Sequence, residues 1–212
     1  MTDTTTASPE QETQQQAQKA PRPRIDMRPV LERLFELHPK LFGARFLPLK
    51  LGIFEDLMAR HPDAFRKEEL KAALGAHARS TKYLEAVASG AQRHGLDGNA
   101  VSKVAPEHVH HAIMEVFRRR QARKSADAKS WLHVRLVRAI EDSGLSREAY
   151  LELVRASDEA AIEALNEAFA EIGARVAKRE ALRRAYEASG QSLEAFAEMY
   201  GMKPAEVRKL LA

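Results

Sequence analysis

Between Leu47 and Asn99, proline and glycine cut the chain into pieces that fit only short helices and one tight turn. Pro48 biases Leu47 away from the helical region, so LPLK (47–50) is expected to be extended. A helix follows from Ile53 to Arg60, with Ile53, Phe54, Leu57 and Met58 inward, and Pro62 lies beyond its end. The next helix spans Lys67 to Ala78. Leu70, Ala73, Leu74 and His77 follow the i, i+3, i+4, i+7 rule for a buried stripe, while Lys67 and Lys71 lie one turn apart on another face. Ser80 is an N-cap for a third helix through Thr81, Lys82 and Tyr83 to Val87, stopped at Gly90. Tyr83 stands at the position where a capping box has Glu or Gln, so the first-turn N–H groups are only partly satisfied from within. Asp97-Gly98 then signals a tight hairpin within 93–101.

The flanking chain reads as mainly helical. Residues 1–24 are rich in Thr, Gln and Pro and are expected to form a disordered tail, with Lys19, Arg22 and Arg24 as its cations. A first helix runs from Pro29 to His38, with Val30, Leu31, Leu34, Phe35 and Leu37 as its stripe and Pro39 at its end. Glu107 to Arg123 is helical and ends in Arg118-Arg119-Arg120, and 125–130 is polar and linker-like. From Trp131 a repeat appears: LVRAIEDSGLSREAY (136–150) aligns with LRRAYEASGQSLEAF (182–196) at an offset of 46 residues. Each copy is a helix, a Gly stop, a Ser N-cap and another helix, which suggests duplicated helical hairpins packing on each other. Ile162, Leu165, Phe169, Ile172 and Val176 form the stripe of the helix between them. The expected organisation is a tail at 1–24, a domain at 25–124, a linker at 125–130 and a helical C-terminal domain at 131–212.

Composition excludes several chemistries. The chain has no cysteine, which removes disulfides and thiolate sites. No apolar run approaches a membrane span and the N-terminus lacks the apolar core of a secretory signal, so a soluble cytoplasmic protein without membrane contact is expected. Residues 25–124 carry 18 Lys and Arg against 12 Asp and Glu, whereas 125–212 carry 13 against 15. The basic excess therefore sits in the first half, where a polyanion partner fits best. No nucleophile motif, Gly-rich phosphate loop or zinc-protease signature occurs, so neither an enzyme nor a cofactor is expected. His108, His110 and His111 offer three imidazoles with no paired acid or cysteine pattern, a poor basis for a metal site.

Three groups of residues carry candidate chemistry. A helix start at Ser80-Thr81-Lys82-Tyr83 combines free N–H groups, the positive dipole end, two hydroxyls, a lysine and a ring, which suits RNA phosphates, hydroxyls and bases. Spacing alone favours the plainer reading, with Ser80 capping a helix and Tyr83 packed on the core. Lys67 and Lys71, with Lys50 and Arg93 from neighbouring elements, could line one groove and bind phosphates, or could be solvated helix faces. Residues 192–211 have a helix-turn-helix look, with Gly201 in the turn, Pro204 opening the second helix and Arg208 and Lys209 on it.

Over about 80 residues, 29–112 resemble the ProQ/FinO family of bacterial RNA chaperones. The matching text is LPLKLGIFEDL (47–57), LKAAL (70–74), STKYL (80–84), GAQR (90–93), LDGN (96–99) and Glu107-His108. The resemblance implies a mostly helical domain with a small β-hairpin and a basic concave face. It also implies binding of structured RNAs with a GC-rich hairpin and a single-stranded 3′ tail, as in terminators, small regulatory RNAs and mRNA 3′ ends. Lys50, Lys67, Lys71 and Arg93 fall on the family's basic contacts, and Tyr83 on its pocket tyrosine. Arg79, Ser80, Thr81 and Lys82 fall on or beside the segment that receives the 3′ terminus. Gly75 stands where relatives can carry a basic residue, and Ala78 where a hydroxyl residue is common. The reading is a non-enzymatic RNA-binding protein of post-transcriptional regulation. Its alternative is a DNA-binding regulator using the C-terminal helices, and 131–212 could also serve self-association or a protein partner.

Overall fold

Helices, with one two-stranded antiparallel hairpin, make up the regular structure of the computed structural model, which describes residues 26–211 apart from 44 and 157. The tail expected at 1–24, with Lys19, Arg22 and Arg24, lies outside the described residues. Helix α1 (Arg28–Leu37) buries Val30 and Leu34. Pro39 does more than end it. It opens a one-turn helix, α2 (Pro39–Phe42), where its missing N–H is no loss. Helices α3 (Ile53–Arg60), α4 (Lys67–Ala78) and α5 (Thr81–Ala88) occupy the expected places. Gly52 precedes α3 at φ 82°, a left-handed conformation that glycine adopts without steric cost.

Strands β1 (Arg93–His94) and β2 (Ala100–Ser102) pair with Arg93 opposite Ser102. Leu49 adds a parallel bridge to His94, which docks the extended 47–50 stretch on the hairpin. The fold is mainly α with a small hairpin, as the sequence pattern implied.

Helix α6 (Pro106–Ala122) packs on α5, on α7 (Ala128–Ser143) and on α8 (Arg147–Val154). One buried apolar cluster runs without a break from Val30 through Leu57, Leu70, Ile113 and Leu136 to Ala168. It crosses the segment expected to be a linker, because Ala128 to Ser130 already form the first turn of α7 and Ala128 is buried.

The repeat appears in the hydrogen bonds themselves. The Ser143 hydroxyl donates to the Ile140 carbonyl and accepts the Leu145 N–H; the Ser189 hydroxyl does the same with Tyr186 and Gln191. Ser146 and Ser192 each accept the N–H three residues on, at 3.2 Å in both cases. Tyr150 and Phe196 are the fully buried rings of the two copies. Arg155 and Gly201, also 46 residues apart, both turn through positive φ.

The two hairpins do not share a core, contrary to expectation. Helix α9 (Glu159–Ser189) has 31 residues, about 46 Å, and belongs to both units. Its first half lies on the main core through Leu165 and Ala168. Its end joins α10 (Leu193–Met199) and α11 (Pro204–Leu211) around a small separate cluster of Phe196, Ala197 and Val207. Between the two, residues 173–181 are exposed on every side. Ion pairs one turn apart, Glu171–Arg175 and Glu180–Arg184, support that stretch. The expected stripe is therefore half used: Leu165 is buried, while Ile162 and Val176 are exposed.

Since one core spans both sides of 125–130, Leu136→Ala is expected to cost about 2–5 kcal/mol. It should move the unfolding of the whole 28–172 body in one step. Urea denaturation followed by Trp131 fluorescence and by circular dichroism checks this; two transitions, with one unmoved, would contradict it.

Candidate nucleic-acid interface

The backbone of Leu49 is where the predicted site residues meet. Its N–H donates to the Tyr83 hydroxyl at 3.0 Å, and its carbonyl accepts from Arg93 Nη1 at 2.9 Å. The next peptide continues the link: Lys50 N–H donates to the His94 carbonyl at 2.9 Å. Pro48 and Leu49 are buried, so these bonds replace water that cannot reach them. Tyr83, Lys50 and Arg93 are thus tied together by one extended strand. Lys50 Nζ is held by Asp56 at 2.7 Å. The second terminal nitrogen of Arg93, Nη2, donates to His108 Nδ1 at 3.3 Å.

Tyr83 is a core residue, 8% exposed, rather than an open stacking surface. Its ring meets His77 edge-on at 5.2 Å, and His77 also packs against Phe42 at 4.9 Å and Phe46 at 4.5 Å. Burial pushes the His77 pKa down to about 4, so its imidazole is neutral at pH 7. His77 Nε2 is buried without a hydrogen-bond partner. Lys82 Nζ stands 5.9 Å from the Phe46 ring centre, above this aromatic group. Phe46 and His77 were not singled out as site residues. Only the helical spacing of His77 marked it, and that spacing reads as core.

The start of α5 is open where the sequence pattern left it open. Ser80 caps the Tyr83 N–H at 3.3 Å, and its carbonyl takes the Leu84 N–H at 3.0 Å. The Thr81 and Lys82 N–H groups have no acceptor among the described residues. Arg119, from the basic run that ends α6, clasps this turn: Nη1 donates to the Arg79 carbonyl at 2.9 Å and to Thr81 Oγ1 at 3.0 Å. Arg119 was legible as part of a charge run but not as a clasp. Arg79 itself is exposed, and its guanidinium lies over Gly75, where an added Cβ would sit 3.2 Å from Nη1. The side chain of Arg79 therefore occupies the space that Gly75 leaves empty.

Lys67 and Lys71 are exposed on α4 and pair with no acid among the described residues. They lie at the far end of that helix, about 12 Å or more along its axis from Arg79. No hydrogen bond or ion pair among the described residues joins Lys67 or Lys71 to Lys50 or Arg93. The three histidines of 108–111 do not converge: His108 meets Arg93, His110 is buried edge-on to Tyr150, and His111 is exposed. No group of three metal-ligating side chains occurs among the described residues.

The ProQ/FINO family model matches residues 25–129, which contain Lys50, Lys67, Lys71, Tyr83 and Arg93. The segment 25–129 belongs to the ProQ/FINO family. This ProQ/FINO segment is similar to proteins named RNA chaperone ProQ. The one from Shewanella pealeana is 38% identical over 112 residues, covering 50% of this chain and 53% of that protein. The one from Idiomarina loihiensis is 42% identical over 87 residues, covering 39% and 42%. The chain thus spans about half the length of the curated relatives it matches. A solved FinO-like RNA chaperone from Neisseria meningitidis is 29% identical, with 41% of this chain and 88% of that one covered and a TM-score of 0.37.

Two outcomes follow from this geometry. Tyr83→Phe strands the buried Leu49 N–H and is expected to cost about 1–3 kcal/mol by urea denaturation; an unchanged midpoint would show that the bond is dispensable. His77 and His110 are both pushed down to about 4 by burial, from an ordinary 6.5. Between those values the unfolded chain binds more protons, so stability is full above pH 6.5 and falls as the pH drops towards 4. Going from pH 7 to pH 5 should cost about 2 kcal/mol per histidine. His77→Phe should reduce that loss, and an undiminished loss would place its origin elsewhere.

Proposed function

We propose that this protein is an RNA chaperone of post-transcriptional regulation, working in the cytoplasm, that binds hairpin RNAs with a single-stranded 3′ tail. The observation that carries this reading is the start of α5. Two unpaired N–H groups, at Thr81 and Lys82, point outward from a helix N-terminus beside the exposed Arg79 and Lys82 and next to the aromatic group under Phe46. Such a start attracts an anion and lets the terminal hydroxyl or phosphate of a strand approach the backbone. Lys50 and Arg93, fixed on the Leu49 strand, and Lys67 and Lys71, further along α4, would hold the backbone of the stem without reading its sequence. Tyr83 acts from behind, holding the strand in place. The names of the relatives, RNA chaperone ProQ, agree with this assignment.

Among the described residues, no helix is long and apolar enough to cross a membrane. The helix-turn-helix-like pair α10–α11 lies beyond the family match, and no observation favours a DNA-binding role for it over RNA binding by the first half. For residues 131–212 we propose a protein partner or self-association; a groove along α9 brings Val176, Leu182, Tyr200 and Met202 together beside Arg175, Lys178 and Arg179.

Binding of the full chain to a terminator hairpin with a 3′ uridine tail tests the reading. With about six phosphates neutralised, log affinity should fall against log salt with a slope of roughly −4 to −5. Phosphorylating the 3′ end should weaken binding if the α5 start reads the terminus. A flat salt response with equal affinity for both ends would overturn the reading.

A further inference from the structure

The C-terminal half is net acidic, yet its first helix turns two arginines towards the hairpin. Arg135 and Arg138 of α7 line a cavity of about 280 Å³ together with Lys103, Gln92, Ser89 and Ser143. The hairpin register explains how the cations meet. Arg93 stands opposite Ser102, so Gln92 and Lys103, one step further out on each strand, come together at this cavity. Arg93 points to the other face of the hairpin, where its guanidinium engages the Leu49 carbonyl and His108, so the cavity is a separate cluster of cations.

The cations here are partly preorganised. Arg135 has its guanidinium 5.8 Å from the Trp131 ring centre, and Arg120 stacks on the same ring at 4.8 Å. Neither Arg135 nor Lys103 pairs with an acid among the described residues, and Arg138 pairs with Asp142 at 3.4 Å. Three cations against one carboxylate, with hydroxyl and amide groups between them, form a cleft suited to an oxyanion with several oxygens. Its walls come from the family segment and from α7, whose two arginines lie beyond residue 129.

We infer that Lys103, Arg135 and Arg138 form a second phosphate-binding site for RNA, built between the outer end of the hairpin and α7. This inference rests on the RNA-binding reading above. Helix α5 relates the two sites: its start offers the free N–H groups, and its far end, at Ala88 to Gly90, borders the cavity about 12 Å away. A strand whose terminus sits at the α5 start has its stem within reach of the cavity. The site binds phosphate by charge and so adds affinity without sequence preference.

The test is fluorescence anisotropy of the full chain with one 3′-tailed terminator hairpin at several salt concentrations. Arg135→Gln with Arg138→Gln is expected to weaken binding about tenfold and to make the salt slope shallower by about 1 to 2. Lys103→Gln, on an exposed residue, should weaken binding several-fold with an unchanged circular dichroism spectrum. Arg147→Ala, on α8, is the control and should bind as the parent does. If Lys50→Gln with Arg93→Gln loses binding while the α7 and Lys103 variants keep the parent affinity and slope, the second site is overturned. If none of these variants changes binding, the RNA-binding reading falls first and the second site falls with it.

Discussion

The peptide of Leu49 holds the site together. Its N–H and carbonyl engage Tyr83 and Arg93, which come from a helix and a strand 34 and 44 residues further along the chain. A buried peptide must find partners, and here both partners are side chains instead of a sheet ladder. The hairpin, the extended 47–50 stretch and the start of α5 are consequently fixed relative to one another. The free N–H groups of Thr81 and Lys82 face outward from this frame, and the cations on Lys50 and Arg93 are anchored to it. Without the Leu49 link, these groups would belong to three short elements, none long enough to order itself.

Electrostatics around this frame work by contrast. His77 and His110 are kept neutral by burial, so the charge at pH 7 resides on the exposed lysines and arginines. Arg119 spends its guanidinium on the turn between α4 and α5, and Arg120 on Glu85, Asp127 and Trp131. The arginine run that ends α6 is therefore largely structural. Lys67, Lys71, Lys82, Lys103 and Arg135 pair with no acid among the described residues, which leaves their charge for a polyanion.

Much of the fold was legible because its signals are local. Ser80, Ser146 and Ser192 cap the helices they were expected to cap, and the 46-residue repeat recurs down to matched serine hydrogen bonds. What was not legible depends on distant contacts. Spacing alone put Tyr83 on the core, but the bond its hydroxyl takes from the Leu49 N–H, 34 residues away, leaves no local signal. A polar run at 125–130 looked like a linker because the sequence does not reveal that α7 continues the core begun by α6. Two similar hairpins suggested mutual packing, but the length of α9, fixed by helix-forming residues with no stop until Gly190, holds them apart. Gly75 read as a lost cation, and the structure shows Arg79 lying over it.

The central claim is that RNA meets the start of α5 and the basic face around the Leu49 frame. The most direct measurement is a set of amide NMR spectra of the full chain with and without a 3′-tailed hairpin RNA. The account predicts that the largest shifts fall on the Thr81 and Lys82 amides, with further shifts at Lys50 and Arg93 and little change in α10 and α11. Shifts confined to α10 and α11, with Thr81 and Lys82 unmoved, would contradict it.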